Sequence, residues 1–430
     1  MKKGSIKGLI PLIVFLLIFA GTGIITGKFE NMPLLVAFII TSAIALAMNK
    51  EGEKLSLSEK VDMFAKGGGD PTLILMVLIF ILAGAFYSVA DAMGAVSSTV
   101  NLGLSILPAN MLLPGLFIVG CVLSFAMGTS MGTVSALTPI AVGIASNTNI
   151  SMPLICGVVI GGAMFGDNLS FISDTTIAAT RTQEVEMRDK FKVNILIVLP
   201  AVIINLIVLF FMNVKVTGLE TFEYNLVNII PYIVIIAFAL MGLNVFATLG
   251  LGILVGCIIG LIHGDFTVLE MFEVLQRGMG WMEDIAIIAI VVGGVVALMN
   301  HYGGIDYLIY KLTSKVKTKK GAEFSMAALV SLIDVATTNN TISIITAGPI
   351  ARDISDQFEI DRRRTAGLLD IFSSGFQGLI PYGGQLLVAG GLAQISPGAI
   401  TPYSWYPMLI IVMGIIAIIT GIPKLKEVKK

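Results

Sequence analysis

The chain has 430 residues, 56% of them hydrophobic and only 13% charged, roughly half the charged share of an ordinary soluble domain. A net charge of -1 excludes the strongly basic balance that a nucleic-acid partner requires. The apolar surplus falls in repeated runs long enough to cross a hydrocarbon core of ~30 Å, so the chain reads as an all-α polytopic membrane protein whose main partner is the lipid bilayer.

Met1-Lys2-Lys3 ahead of the apolar stretch from Leu9 to Ala20 has the outline of a signal peptide. The stretch runs on to Ile25 with no A-x-A site, and it is read as the first transmembrane helix. Apolar runs between polar breaks place about ten crossings near 9–27, 33–48, 71–93, 153–180, 193–212, 226–242, 245–262, 284–302, 365–395 and 404–422. In 54–66, Leu57, Val61 and Phe64 recur at helical spacing among Lys and Glu, and 265–277 repeats the pattern with Phe266, Leu269 and Phe272. These are amphipathic helices in the headgroup plane or solvated loops. Cys121, Cys156 and Cys257 lie inside apolar runs with no CxxC and no Cys/His cluster, so they read as small buried hydrophobes.

Two apolar stretches, 111–146 and 322–351, are too long for one span and are interrupted by Gly128-Thr129-Ser130-Met131-Gly132-Thr133 and by Thr337-Thr338-Asn339-Asn340-Thr341. Charge decides how they run. If both are re-entrant hairpins and the N-terminus is cytoplasmic, every Lys and Arg except Lys28, Lys215 and Arg277 falls inside, with Lys190 in the cytoplasmic cluster from Arg181 to Lys192. If either stretch crosses, a basic cluster is stranded outside. The hairpin reading places both termini in the cytoplasm of a prokaryotic inner membrane and both tips near its midplane, where non-helical backbone must line a cavity or be buried in protein.

A constant offset of 210 positions recovers the first half of the chain in the second: Gly84 and Gly294, Gly94 and Gly304, Pro139 and Pro349, Gly157 and Gly367, with Thr129-Ser130 falling on Asn339-Asn340. Each half holds an odd number of crossings plus one hairpin, so residues 1–213 and 222–430 read as inverted-topology repeats within one membrane-embedded unit. Such repeats with broken helices are the architecture of secondary transporters.

The segment Gly166-Asp167-Asn168-Leu169-Ser170-Phe171-Ile172-Ser173-Asp174-Thr175-Thr176 carries two acids inside an otherwise apolar crossing, Asp174 two turns after Asp167 on the same side of an unbroken helix. A carboxylate at the bilayer centre costs about 2.5–3.5 kcal/mol, so each needs a partner. No span offers a Lys or Arg, which leaves Na+ or a proton, with Asn168, Ser170, Ser173, Thr175, Thr176 and the tip residues Thr129 and Ser130 supplying oxygens. The alternative is that one acid caps a broken half-helix and the other faces a loop.

Asp334, just before the second tip, is the third ionisable candidate; with Asn339, Asn340 and Thr341 it reads as a solute site or as the cap of a polar turn. The repeat-mate of the aspartate motif, Gln377-Gly378-Leu379-Ile380-Pro381-Tyr382-Gly383-Gly384-Gln385, has lost both acids. Gln377, Gly383 and Gly384 there offer backbone and small residues to a neutral or zwitterionic solute, whose carboxylate half-helix N-termini would hold. Asp370, six residues beyond Arg364, is an interfacial acid or a site residue. Asp91, Glu283, Asp284 and His301 sit at span ends and read as interface residues.

Enzyme readings fare poorly. Gly128-Thr129-Ser130-Met131-Gly132 matches the G-x-S-x-G elbow without its strand-turn-helix setting, and the two histidines, His263 and His301, sit at span ends. An aspartyl protease built on Asp167 and Asp334 and a passive channel are the minor alternatives. No cofactor is expected beyond Na+ and/or H+ as the coupling ion.

Met164-Phe165-Gly166-Asp167-Asn168-Leu169-Ser170-Phe171-Ile172-Ser173-Asp174-Thr175-Thr176 resembles the G-D-x-x-S-x-x-S-D-T-T motif of the NhaC-type sodium/proton antiporter family, part of the ion-transporter superfamily of paired hairpins and inverted repeats. The continuation Ile177-Ala178-Ala179-Thr180-Arg181-Thr182-Gln183 resembles its YuiF-like branch of amino-acid transporters, and Phe171 departs from the proline many antiporter members carry. The resemblance implies that Asp167, Asn168, Ser170, Ser173, Asp174 and Thr175 line the ion path. It also implies that both tips bind sodium and solute. Homodimers are common in that superfamily, though no dimer face is legible in the sequence. The expectation is a secondary active transporter coupling Na+ and/or H+ to a small solute such as an amino acid, or else a Na+/H+ antiporter with no organic substrate.

Overall fold

The computed structural model describes residues 4–26, 31–50, 52–53, 55–170, 173–212, 214–215, 223–241, 243–313 and 316–423. Phe171, Ile172, the boundary between the two halves from 216 to 222 and the basic residues Lys2, Lys3, Lys28, Lys54, Lys315 and those of the tail from Lys424 lie outside them. Among the described residues every regular element is helical. The first half holds α1 (Ile10–Thr26), α2 (Leu34–Ala47), α3 (Leu57–Gly68), α4 (Pro71–Ala92), α5 (Ala95–Ile106), α6 (Leu112–Met127), α7 (Ser130–Ser146), α8 (Met152–Leu169), α9 (Asp174–Gln183) and α10 (Met187–Phe210). The second holds α11 (Leu226–Leu240), α12 (Val245–His263), α13 (Val268–Gly280), α14 (Glu283–His301), α15 (Gly304–Thr313), α16 (Lys319–Thr337), α17 (Asn340–Gln357), α18 (Arg362–Gln377), α19 (Gly384–Ala393), α20 (Pro397–Ile400) and α21 (Trp405–Thr420).

The long apolar stretches fold as hairpins, the first helix of each ending at a residue in the left-handed conformation. Gly128 ends α6 at φ 66° and Thr338 ends α16 at φ 58°, both left-handed, and an extended residue follows each, Thr129 or Asn339. The chain reverses there, and α6 packs on α7 as α16 packs on α17. Thr338 carries a Cβ into a conformation that glycine adopts freely, and its N–H bonds the Asp334 carbonyl at 2.7 Å.

The crossings expected at 153–180 and 365–395 are each broken. The first divides into α8 and α9 and the second into α18 and α19, with residues 378–383 between them. The unbroken helix expected through the aspartate motif is therefore corrected: Ser170 leaves α8 with extended backbone, and Asp174 opens a new helix. Two short helices, α5 and α15, were not foreseen; at 12 and 10 residues they are too short to cross, and the Ser, Thr and Asn of α5 hide its apolar face. Five stretches among the described residues are long and apolar enough to span a membrane, and α20 with α21 forms a sixth bent by 52°. α1, α2 and α11 are apolar but shorter.

The order of elements recurs in the two halves, and so do their contacts. The two amphipathic segments are helices with matching capping boxes, Ser56 with Glu59 on α3 and Thr267 with Glu270 on α13. Each packs on the other half: α3 on α14 and α13 on α4. Both crossings are glycine against glycine. A methyl added at Gly67 meets the carbonyl oxygen of Gly293, and one at Gly278 meets that of Gly84. In the same reciprocal way α7 packs on α19 and α17 on α9, which brings the hairpin tips to the breaks.

Gly278→Leu is expected to overpack the α13–α4 crossing and destabilise the fold by about 1–3 kcal/mol or more. Gly250→Leu on α12, where an added Cβ meets nothing within 4 Å, is expected to be neutral. Melting of the detergent-solubilised variants checks both, and equal melting would remove the crossing from the account.

Candidate functional site

The first turn of a helix leaves its N–H groups unpaired, and the aspartate of the motif takes up one of them. Ser130 begins α7; its N–H donates to Asp167 Oδ1 at 2.9 Å and its hydroxyl to Oδ2 at 2.6 Å. Asn340 begins α17, in the other half, and its side-chain amide donates to the same Oδ2 at 3.2 Å. The carboxylate thus lies at the positive ends of two helices from different hairpins, 5% exposed. No ion pair to Asp167 is formed among the described residues.

The break after α8 is tied by its own hydroxyls. Thr175 Oγ1 and Ser173 Oγ donate to the Asp167 carbonyl at 2.6 and 3.1 Å, and the two hydroxyls bond each other at 2.7 Å. Ser170 Oγ donates to the Phe125 carbonyl on α6 at 2.6 Å. Ser124 lies against Gly166, where any side chain would collide, and donates to the Ala163 carbonyl at 2.5 Å. The glycine ahead of Asp167 therefore lets α6 approach α8 closely enough to carry Ser130 to the acid.

The residues named from sequence divide as follows. Asp167, Ser130, Ser170, Ser173 and Thr175 come together at the break, and Asn340 joins them from the second half. Thr129 is half-buried at the N-cap of α7 and makes no side-chain cap bond. Asn168 is fully buried, but its side chain lies toward Asn194, whose amide donates to it at 3.4 Å. Asp174 is exposed at the start of α9, and no hydrogen bond or ion pair joins it to Asp167. The two acids stand on opposite sides of the break, Asp167 in the last turn of α8 and Asp174 in the first turn of α9.

In the second half, Gln377 donates to the Thr338 carbonyl at 3.3 Å and to Gln385 Oε1 at 2.7 Å, and Gln385 donates to Ser130 Oγ at 2.9 Å. A continuous chain of hydrogen bonds thus runs from the second tip through both glutamines to Ser130 and Asp167. Gln385 was not among the candidates, although it closes the Gln377–Gln385 segment. Asn339 caps α17 by accepting from the Ile342 N–H at 2.9 Å, and the Thr341 N–H donates to Asn340 Oδ1 at 3.0 Å. Gly383 is the N-cap of α19, and Gly384 lies under the Met131 and Met76 side chains. Asp334 is 0% exposed, and neither carboxylate oxygen has a hydrogen-bond partner.

Sequence reasoning missed a second charged cluster. Lys190, placed in a cytoplasmic loop, and Asp370, read as an interfacial acid or a site residue, are both fully buried and form an ion pair. The expectation that no span supplies a cation to an acid is corrected by that pair. Lys190 was assigned by its neighbours Arg188 and Lys192; the available signal was Lys190-x-x-x-Asn194, two polar residues on one face of α10.

The family model described as the Na+/H+ antiporter family matches residues 4–214 and again residues 189–424. The chain belongs to the Na+/H+ antiporter family. It is 22% identical over 454 residues to the malate-2H(+)/Na(+)-lactate antiporter of Bacillus subtilis, a match covering 98% of this chain and 96% of that one. It is 25% identical to the Na(+)/H(+) antiporter NhaC of the same organism, over 96% of this chain and 98% of the relative. The arginine/ornithine antiporter ArcD of Halobacterium salinarum is 21% identical, over 95% and 91% respectively. The family is one of membrane-embedded antiporters.

Ser130→Ala removes the hydroxyl donor to Asp167 and leaves the N–H in place. A hydrogen bond to a charged group contributes about 1.5 kcal/mol or more, so, on the proposal below that Na+ is held at this carboxylate, the Na+ Kd of the purified protein is expected to rise about tenfold. Radioactive-sodium binding checks this; an unchanged Kd would separate Ser130 from the ion.

Proposed function

We propose that the protein is an antiporter of a prokaryotic inner membrane that exchanges Na+ and H+ at one shared site, the carboxylate of Asp167. The observation that carries this reading is the placing of one nearly buried acid, with no Lys or Arg paired to it, between the tips of two hairpins. Such a carboxylate must be neutralised, and either a proton or Na+ does so; occupancy by one excludes the other. Ser130 and Asn340 supply the oxygen atoms a hard cation prefers, and the hydroxyls of Ser170, Ser173 and Thr175 hold the broken backbone beside it. Asp174 is proposed as an acid on the approach and not as a ligand in the same shell.

The recurring elements support inverted repeats over residues 1–213 and 222–430, and the charge pattern supports cytoplasmic termini. Each tip then comes from one repeat. A rocking of the repeats would open Asp167 to one side of the membrane at a time.

A second reading, in which the cation gradient drives a small solute such as an amino acid, is favoured by Asp334. Its two unpartnered oxygens suit the ammonium of an amino acid, and the N-terminus of α19 at Gly383 and Gly384 suits a carboxylate. Two of the relatives are named for such solutes, one pairing Na+ with lactate and the other arginine with ornithine.

The test uses proteoliposomes holding a pH-sensitive dye. Under an imposed Na+ gradient the native protein is expected to move protons, and Asp167→Asn is expected to lose that flux entirely while reconstituting normally. Persistence of the flux in the variant would overturn the assignment. Proton movement that waits for an added amino acid would move the second reading to first place.

A further inference from the structure

The bundle buries a full charge pair that the proposed exchange does not use. Lys190 and Asp370 are 1% and 0% exposed and form an ion pair between α10 of the first half and α18 of the second. Placing two charges in an apolar interior costs several kcal/mol per ion, and a well-packed apolar pair of the same volume is often at least as stable. Stability alone therefore accounts poorly for the pair.

The packing around it shows what it touches. Asn194 and Lys190 lie one turn apart on α10, as Gly367 and Asp370 lie one turn apart on α18. Gly367 has no side chain, so Asn194 occupies the space a Cβ would take, and α10 comes close enough for Lys190 to meet Asp370. The ammonium has two more partners: the Asn168 carbonyl at 2.5 Å and Thr176 Oγ1 at 2.8 Å. The Asn194 amide donates to the same carbonyl at 3.3 Å. Asn168 is the residue after Asp167, in the last turn of α8, where main-chain carbonyls lack helical partners and a positive charge is favoured. Thr176 is in the first turn of α9. One ammonium group therefore ties both sides of the break to an acid in the opposite half.

We propose that Lys190 and Asp370 are positioning residues for the cation site: by clamping the Asn168 carbonyl and α9 to α18, they fix the rotation of the last turn of α8 and so aim the Asp167 carboxylate at Ser130 and Asn340. The pair touches no transported ion. Its effect is on affinity, through the direction in which the neighbouring side chain points. The proposal rests on Asp167 being the cation site.

The test compares Na+ binding with stability in detergent-purified protein, using radioactive sodium and thermal melting. Lys190→Met alone leaves Asp370 charged and unpaired in the interior and is expected to fold poorly. The double variant Lys190→Met/Asp370→Asn removes both charges; it is expected to melt near the native temperature while its Na+ Kd rises about tenfold. A Kd equal to the native one at restored stability would show the pair to be a matter of folding alone and would overturn the proposal. Thr176→Val is uncharged and nearly isosteric, and it decides the matter if the double variant does not fold. It is expected to raise the Kd about threefold, and an unchanged Kd would overturn the proposal equally. Asp167→Asn separates the two levels. Native-like Na+ binding in that variant would sink the ion-site reading itself. Loss of binding there, beside a native Kd in the double variant, would sink only the positioning role.

Discussion

The carboxylate of Asp167 lies between the first turns of α7 and α17, and the remaining architecture follows from putting it there. A helix N-terminus can reach the middle of a bundle only if the chain turns back inside it. The left-handed residues Gly128 and Thr338 make that turn in the two hairpins. The acid in turn can meet both tips only if its own helix stops, and α8 stops at Leu169. Gly166 admits Ser124, so that α6 and α8 approach closely enough for the contact to form. Turn, break and glycine are three answers to one requirement: a buried carboxylate must be surrounded by donors.

The two halves share a scaffold and differ in chemistry. Gln377 takes the place of Asp167, and Asn340 takes that of Ser130. Two carboxylates converging on the same tips would repel each other, whereas an amide can donate to one neighbour and accept from the next. Gln377 does the first, bonding the Thr338 carbonyl and Gln385, and Gln385 passes the connection to Ser130. The neutral half thus orients the donor that serves the charged half. Asp167 has one tip from each half, so relative movement of the halves changes its surroundings directly.

Much of this was legible in the sequence, and the omissions have physical causes. The hairpins followed from charge, because no other threading keeps the basic clusters on one side. Ser130 and Asn340 stood out as polar tips at matching positions, and Asp167 as an acid in an apolar run. The break after Leu169 was not legible as a boundary, because Asn168, Ser170 and Ser173 are compatible with either a polar helix or a cap. That ambiguity carried Asp174 onto the same helix as Asp167, whereas it opens the next one. Their basic neighbours put Lys190 in a cytoplasmic loop and left Asp370 open between interface and site, since a one-dimensional window cannot tell the turn of a helix that faces water from the turn that faces the bundle. Their pairing joins positions 180 residues apart and depends on an approach that only Gly367 permits.

The central claim is that Na+ and a proton compete for Asp167. It is tested most directly by counting the protons released when Na+ is added to purified protein in weakly buffered solution. The account predicts proton release that saturates together with Na+ binding and vanishes in Asp167→Asn. Sodium binding with no proton released, or the same release from the variant, would contradict it.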